Sequence, residues 1–179
     1  MKPFEQLLAS AKGDPIRDLD ISGQDFSFRS LDGARAECLR ATGLFAKGSS
    51  WRDCYFDMPS FGEAVFVGAV FDGSSMLDPA FTGADMTNAS LRNVVWSSPT
   101  MPEVILDDAD ATGAVLNGAM FTGSSMKRAS FAGAELEDCS FRDCDLTDAD
   151  LRGAKLTGAT FKGAKLRGVK LDEGVVLDP

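Results

Sequence analysis

The chain has 179 residues, of which 44% are hydrophobic and 25% charged; that composition fits one packed domain and excludes a disordered chain. No apolar run is long enough to span a membrane, so no contact with membrane is expected. A net charge of -9 disfavours direct contact with nucleic acid, and the absence of histidine removes the usual general base near neutral pH.

In chain order, the first predicted element is a short helix. Residues 4–12, "FEQLLASAK", place apolar side chains at helical spacing ahead of Gly13 and Pro15. Residues 1–14 are therefore expected to form an N-terminal capping helix. This start carries Glu5 and lacks a long apolar core, so a secretory signal is not expected and the cytoplasm is the default location.

From Ile16 to Val176 every fifth residue is apolar, without exception over 33 positions, and ten of the thirteen Phe fall on this phase. Two residues before each such centre the side chain is usually small, and two residues after it Gly dominates; sixteen of the eighteen glycines share that phase, Gly13 ahead of the first centre included. Five matches neither the helical period of 3.6 nor the strand period of 2. A backbone that turns a corner every five residues satisfies it, with one large and one small residue inside and three outside. Gly supplies the positive φ that tight corners require. Pro59, Pro79 and Pro99 recur at twenty-residue spacing, which predicts that the same corner returns after four segments.

Two stretches strain the pattern. Between 34 and 46, Leu39 and Leu44 take the small slot while Ala41 and Ala46 take the centre; the conserved volume predicts a persistent coil. Residues 94–105, "VVWSSPTMPEVI", hold two prolines and no Gly, which predicts a bulge or short loop. The repeat is expected to span 15–176, leaving 177–179 as a C-terminal tail.

The stretch "ADLRGAKLTGATFKGAKLRG" resembles the pentapeptide-repeat family, written A(D/N)LxG, and the resemblance covers residues 16–176 or nearly so. It implies an all-β fold, a right-handed quadrilateral parallel β-helix. Thirty-three pentapeptides would make about eight coils and a rod about 40 Å long. Residues twenty apart would stack, as in the column Phe61, Phe81, Met101, Phe121, Phe141 and Phe161. The family is functionally diverse, and fold alone does not settle function. Two uses within it bear on this chain: protection of DNA gyrase by resembling duplex DNA, and service as a bacterial immunity or antitoxin protein.

Chemistry has little foothold in this sequence. The carboxylates of 107–110 and 143–150 read as a solvated outer face rather than as acid/base pairs. A calcium site at Asp143, Asp145 and Asp148 is not expected, because successive sides point away from one another. Cys38, Cys54, Cys139 and Cys144 form no CxxC pair, and three of them occupy small slots, so buried free thiols are predicted and no metal site. The expectation is a non-enzyme without cofactors.

Charge is the more informative signal. Residues 53–150 hold seventeen acidic and four basic groups, net -13, whereas 151–171 hold six basic and none acidic. Five coils span about 24 Å, over which duplex DNA carries about 14 charges. One side of the square combines Tyr55, Asp57, Leu77, Asp78, Val95, Val115, Glu135, Glu137 and Asp138 with no Lys or Arg between 54 and 138. Carboxylates with apolar anchors suit protein binding, and these nine residues are the candidate partner-binding site. The expected partner is a basic protein, toxin-like or topoisomerase-like, gripped by a monomer. The chain carries no long interrupting loop, which favours an immunity protein for a nuclease-like toxin. Gyrase protection is the first alternative. A scaffold or secretion accessory that works through its basic collar is the second.

Overall fold

The computed structural model describes residues 1–177. Its governing feature is local. At every fifth position from Asp18 to Gly168 the backbone has φ between 46° and 75°. Each such residue turns the chain by one corner, and each pentapeptide between corners is one short side. Four sides bring the chain back over itself. The parallel pairings confirm the period, since each partner lies twenty residues on: Asp20 with Arg40, Asp25 with Phe45, Ser30 with Ser50, and Tyr55 with Ser75. The result is the right-handed quadrilateral β-helix expected from the sequence. It has eight levels, as the series 20, 40, 60, 80, 100, 120, 140 and 160 along one side shows.

The first side carries centres 16, 36, 56 and so on to 156, and it holds the strands β1 (Ile16–Arg17), β2 (Arg35–Glu37), β3 (Tyr55–Asp57), β4 (Ser75–Leu77) and β5 (Val95–Ser97). The second, third and fourth sides carry centres 21–161, 26–166 and 31–171. Their contacts are single parallel bridges between levels.

Inside, centres stack on centres. Phe61 lies flat on Phe81 at 5.0 Å, Phe81 on Trp96 at 4.9 Å, Phe121 on Phe141 at 5.2 Å and Phe141 on Phe161 at 4.9 Å. Burying each ring contributes about 1.5–3 kcal/mol. The indole N–H groups find partners inside: Trp51 donates to Ser49 Oγ at 2.6 Å, and Trp96 to Ser74 Oγ at 3.1 Å. The exchange of large and small residues between 34 and 46 leaves the coil intact. Leu39, Ala41, Leu44 and Ala46 are all fully buried.

The bulge or loop expected at 94–105 does not form. Thr100 pairs with Met120 and Ile105 with Ser125 in unbroken register. Two features of the corner explain this. At most corners the small-slot N–H donates back three residues, as Ala69 does to Phe66 at 2.9 Å. At the corner that follows strands β2–β5, through Leu39, Pro59, Pro79 and Pro99, no such bond is made among the described residues, so proline costs nothing there, and the bond returns on later levels at Ala119, 3.0 Å from the Leu116 carbonyl. Pro102 follows its centre directly, at a phase whose N–H is not used by the ladder.

The N-terminal end is closed by α1 (Pro3–Ser10), which begins at a proline and carries Glu5 in its first turn, where its carboxylate accepts the Lys2 N–H at 3.1 Å. Leu7 is fully buried beneath it, and Phe4 meets Phe26 edge to face at 5.2 Å. Ser10 Oγ accepts the Arg35 N–H at 2.9 Å, tying the helix to the coil. Of the tail expected at 177–179, only Leu177 is among the described residues.

All four cysteines are free thiols. Cys54, Cys139 and Cys144 lie in small slots and donate to the carbonyls of Leu31, Leu116 and Phe121. Burial pushes the Cys54 thiol up to about 12 and those of Cys139 and Cys144 up to about 11. Cys38 differs: it sits at a corner and is only half-buried. A thiol-reactive chromophore at pH 8 is therefore expected to label Cys38 alone in the native protein, and all four thiols after denaturation. Rapid native labelling of a second cysteine would contradict the packing.

Candidate protein-binding wall

The nine residues singled out from the sequence lie on or beside the first side. Tyr55, Ser75, Val95, Val115 and Glu135 follow one another in register as one column. Asp57, Leu77 and Ser97 form the neighbouring column. It continues through Asn117 to Glu137, whose N–H donates to Asn117 Oδ1 at 2.9 Å. Asp78 and Asp138 occupy the adjoining corner, with φ of 46° and 58°. The set covers five levels, about 19 Å along the axis. Tyr55, Leu77 and Val95 are exposed, and so is Met58, which the sequence reading passed over. Its signal was available: a large apolar residue at a phase held mostly by Gly and Asp.

The acidity of 53–150 has two origins, which the structure separates. Outside strands β1–β5 the N–H that follows each centre has no backbone acceptor in the ladder, and aspartates supply one. Asp85, Asp110, Asp145 and Asp150 each accept the N–H two residues on, at 3.0–3.1 Å. Asp72 and Asp107 accept the N–H of Arg92 and Lys127 on the next level, at 3.1 and 3.0 Å. Eight further carboxylates sit at positive-φ corners: Asp53, Glu63, Asp78, Glu103, Asp108, Asp138, Asp143 and Asp148. Aspartate tolerates that backbone better than most residues. Fourteen of the seventeen carboxylates thus occupy positions that the coil itself uses. The remaining three, Asp57, Glu135 and Glu137, all lie on the first side.

Ion pairing sharpens the contrast between walls. On the third side and its corner, Lys127 meets Asp107 at 3.8 Å, Lys165 meets Asp145 at 3.3 Å, and Arg128 pairs with Asp108 through two bonds at 2.6–2.7 Å. On the first side Glu135 is held by Lys155 at 2.5 Å, from the level above, and that bond keeps its carboxyl below the ordinary range. The run without a basic residue therefore ends in an ion pair at Glu135. Asp57, Asp78, Glu137 and Asp138 have no ion pair among the described residues. Asp57 Oδ1 is buried without a hydrogen-bond partner. Among the described residues no group of carboxylates or thiols is placed to hold a metal ion.

Two measurements test this division. Replacing the corner residue Asp78 by Asn should leave stability unchanged within error, whereas Asp78→Lys should lose about 1 kcal/mol in chemical denaturation, because lysine tolerates positive φ less well. Equal losses would mean that charge, not backbone, governs the position. Arg152 holds the Asp150 carboxyl at about 2, first through their side-chain bond. A depressed carboxyl stabilises the fold above its unfolded value and loses that contribution as pH falls through its folded one. Thermal stability should therefore decline between about pH 4 and pH 2, and decline less in Asp150→Asn.

The family described as pentapeptide repeats matches this chain in eight copies, over residues 60–93, 105–143 and 134–172. No curated protein matches the sequence. Among solved structures the fold resembles QnrB1, described as a plasmid-mediated fluoroquinolone resistance protein, with a TM-score of 0.50 and 18% identity over 89% of this chain and 93% of that one. It also matches HetL of the cyanobacterium Nostoc, described as involved in heterocyst differentiation regulation, at 20% identity over 89% and 92% with a TM-score of 0.31. A third match is a pentapeptide repeat protein of the Arabidopsis thaliana thylakoid lumen, at 28% identity over 65% and 68% with a TM-score of 0.27. With a phase that returns every five residues and closes every twenty, and with the family's repeat found over most of that coil, the chain belongs to the pentapeptide-repeat family.

Proposed function

We propose that this protein is a non-catalytic inhibitor whose first side grips a basic protein that acts on nucleic acid. The observation that carries the reading is the placement of carboxylates. Those that the coil has no use for are all on one wall, beside exposed Tyr55, Met58, Leu77 and Val95. Carboxylates without local partners steer a basic surface inward, and the apolar anchors hold it once docked. The rigid spacing of levels at about 4.8 Å suits a partner built to follow a regular phosphate array. A cognate nuclease-like toxin, neutralised by this chain as an immunity protein, is the partner class we favour.

A second reading is protection of a topoisomerase such as gyrase. It draws support from the fold shared with the fluoroquinolone resistance protein QnrB1 along most of both chains. The scaffold reading has less support. Half of the basic collar is engaged within the coil: Arg152 with Asp150, Lys155 with Glu135 and Lys165 with Asp145.

The test uses the immobilised protein beside a variant carrying Asp57→Asn, Asp78→Asn, Glu137→Gln and Asp138→Asn, which removes charge while keeping corner-compatible side chains. Partners captured from the host are identified by mass spectrometry, and their affinity is measured with purified protein. A basic nucleic-acid-acting partner should bind the variant at least about ten-fold more weakly. Undiminished affinity would overturn the wall as the site. Inhibition of cleavage by a captured nuclease supports the immunity reading, and relief of fluoroquinolone inhibition of gyrase supports the second.

A further inference from the structure

The hydrogen bonds of this coil are not symmetric along its axis. On each side the centre and the corner both donate their N–H towards the C-terminal end. Leu136 donates to the Lys155 carbonyl at 2.9 Å and Asp138 to Thr157 at 2.8 Å; Phe141 donates to Thr160 at 2.8 Å and Asp143 to Lys162 at 2.9 Å. Beyond strands β1–β5, one carbonyl per side, that of the small slot, faces the same way, as Ala134 does in accepting Lys155 N–H at 2.9 Å; within the strands the centre carbonyl also faces that way. A level beyond the strands that is left uncovered on its C-terminal face therefore presents two donors for each acceptor.

The last level is such a surface. Among the described residues, the N–H groups of Leu156, Gly158, Phe161, Gly163, Leu166 and Gly168 have no acceptor, while Gly153 is met by Asp172 Oδ2 at 2.7 Å. The chain after Leu171 crosses the first side, where Val175–Leu177 line a pocket with Leu156, Ala159 and Phe161. Among the described residues, the third and fourth sides stay open. Their inner floor is apolar and half-buried, formed by Leu166, Val169 and Leu171. The rim carries Lys162 at the end of the second side, Arg167 on the third and Lys170 on the fourth, which form no ion pair among the described residues.

We propose that this edge docks an extended acidic segment of a partner protein, laid on as a further layer of the coil. Its main-chain carbonyls would accept the free N–H groups. Its apolar side chains would cover the floor, and its carboxylates would meet the basic rim. A second copy in two-fold contact does not fit, because it would set donors against donors and lysines against lysines. Nucleic acid offers acceptors and charge but no apolar groups for the floor. The edge is separate from the acidic wall, so either proposal can fail alone.

The probe is a fluorescein-labelled extended peptide that alternates valine with glutamate, compared with its valine–lysine counterpart and with a single-stranded oligonucleotide of equal charge. In anisotropy measurements the glutamate peptide should bind at least about ten-fold more tightly than either competitor, and the preference should weaken in high salt. The triple variant Lys162→Glu, Arg167→Glu, Lys170→Glu should lose that binding while the four-residue wall variant keeps it. Amide exchange at Gly163, Leu166 and Gly168 should slow when the peptide binds. Equal binding of the peptides, equal binding of the oligonucleotide, retention by the triple variant, or unchanged exchange at these amides would each overturn the proposal.

Discussion

The constraint on which this molecule rests is a dihedral angle. A positive φ at each fifth residue from 18 to 168 turns the backbone through one corner, and no side is long enough to sustain an ordinary strand without it. Only 15 of those 31 corners are glycines; the other 16 are other residue types, mostly Asp, Asn and Glu. The corners stay uniform because each level's ladder bonds to the next hold them there. A single strained residue is tolerated when the levels above and below over-determine its conformation. Phe28 and Met58, bulky and exposed at φ of 59° and 49°, show how far that tolerance extends.

The same constraint changes what the net charge means. An acidic repeat protein invites a reading of its whole surface as a counterpart of nucleic acid. Here most carboxylates serve the coil, either by accepting an N–H that the ladder leaves free or by occupying a corner that short polar side chains tolerate. Acidity is thus partly a consequence of the fold, and total charge is a poor guide to which wall is a candidate for binding. The informative residues are the few that the coil does not need, and they share a wall with exposed apolar anchors.

Direction along the axis is a second consequence. Beyond strands β1–β5 each level sends two donors forward for every acceptor, so the rod carries a backbone polarity comparable in origin to that of an α-helix, although built from inter-level bonds. At the N-terminal end α1 covers the coil. At the other end the unmatched donors coincide with the unpaired members of the basic collar, which makes the two ends chemically different surfaces.

Much of this was legible in the residues alone. A period of five with apolar centres, small residues two places before and glycine two places after determined the coil, its interior and the wall to which Tyr55, Leu77 and Val95 belong, because in a solenoid the position of a side chain depends only on its phase. The recurrence of Pro59, Pro79 and Pro99 determined closure after four sides. What the phase could not convey was anything that depends on contact between levels. The unbroken path through 94–105, the capture of Glu135 by Lys155, the use of Asp72 and Asp107 as acceptors for the next level, and the free donors of the last level were decided by tertiary structure. The reason is physical: each involves residues about twenty apart, whose hydrogen bonds and ion pairs exist only once one level has been laid on another.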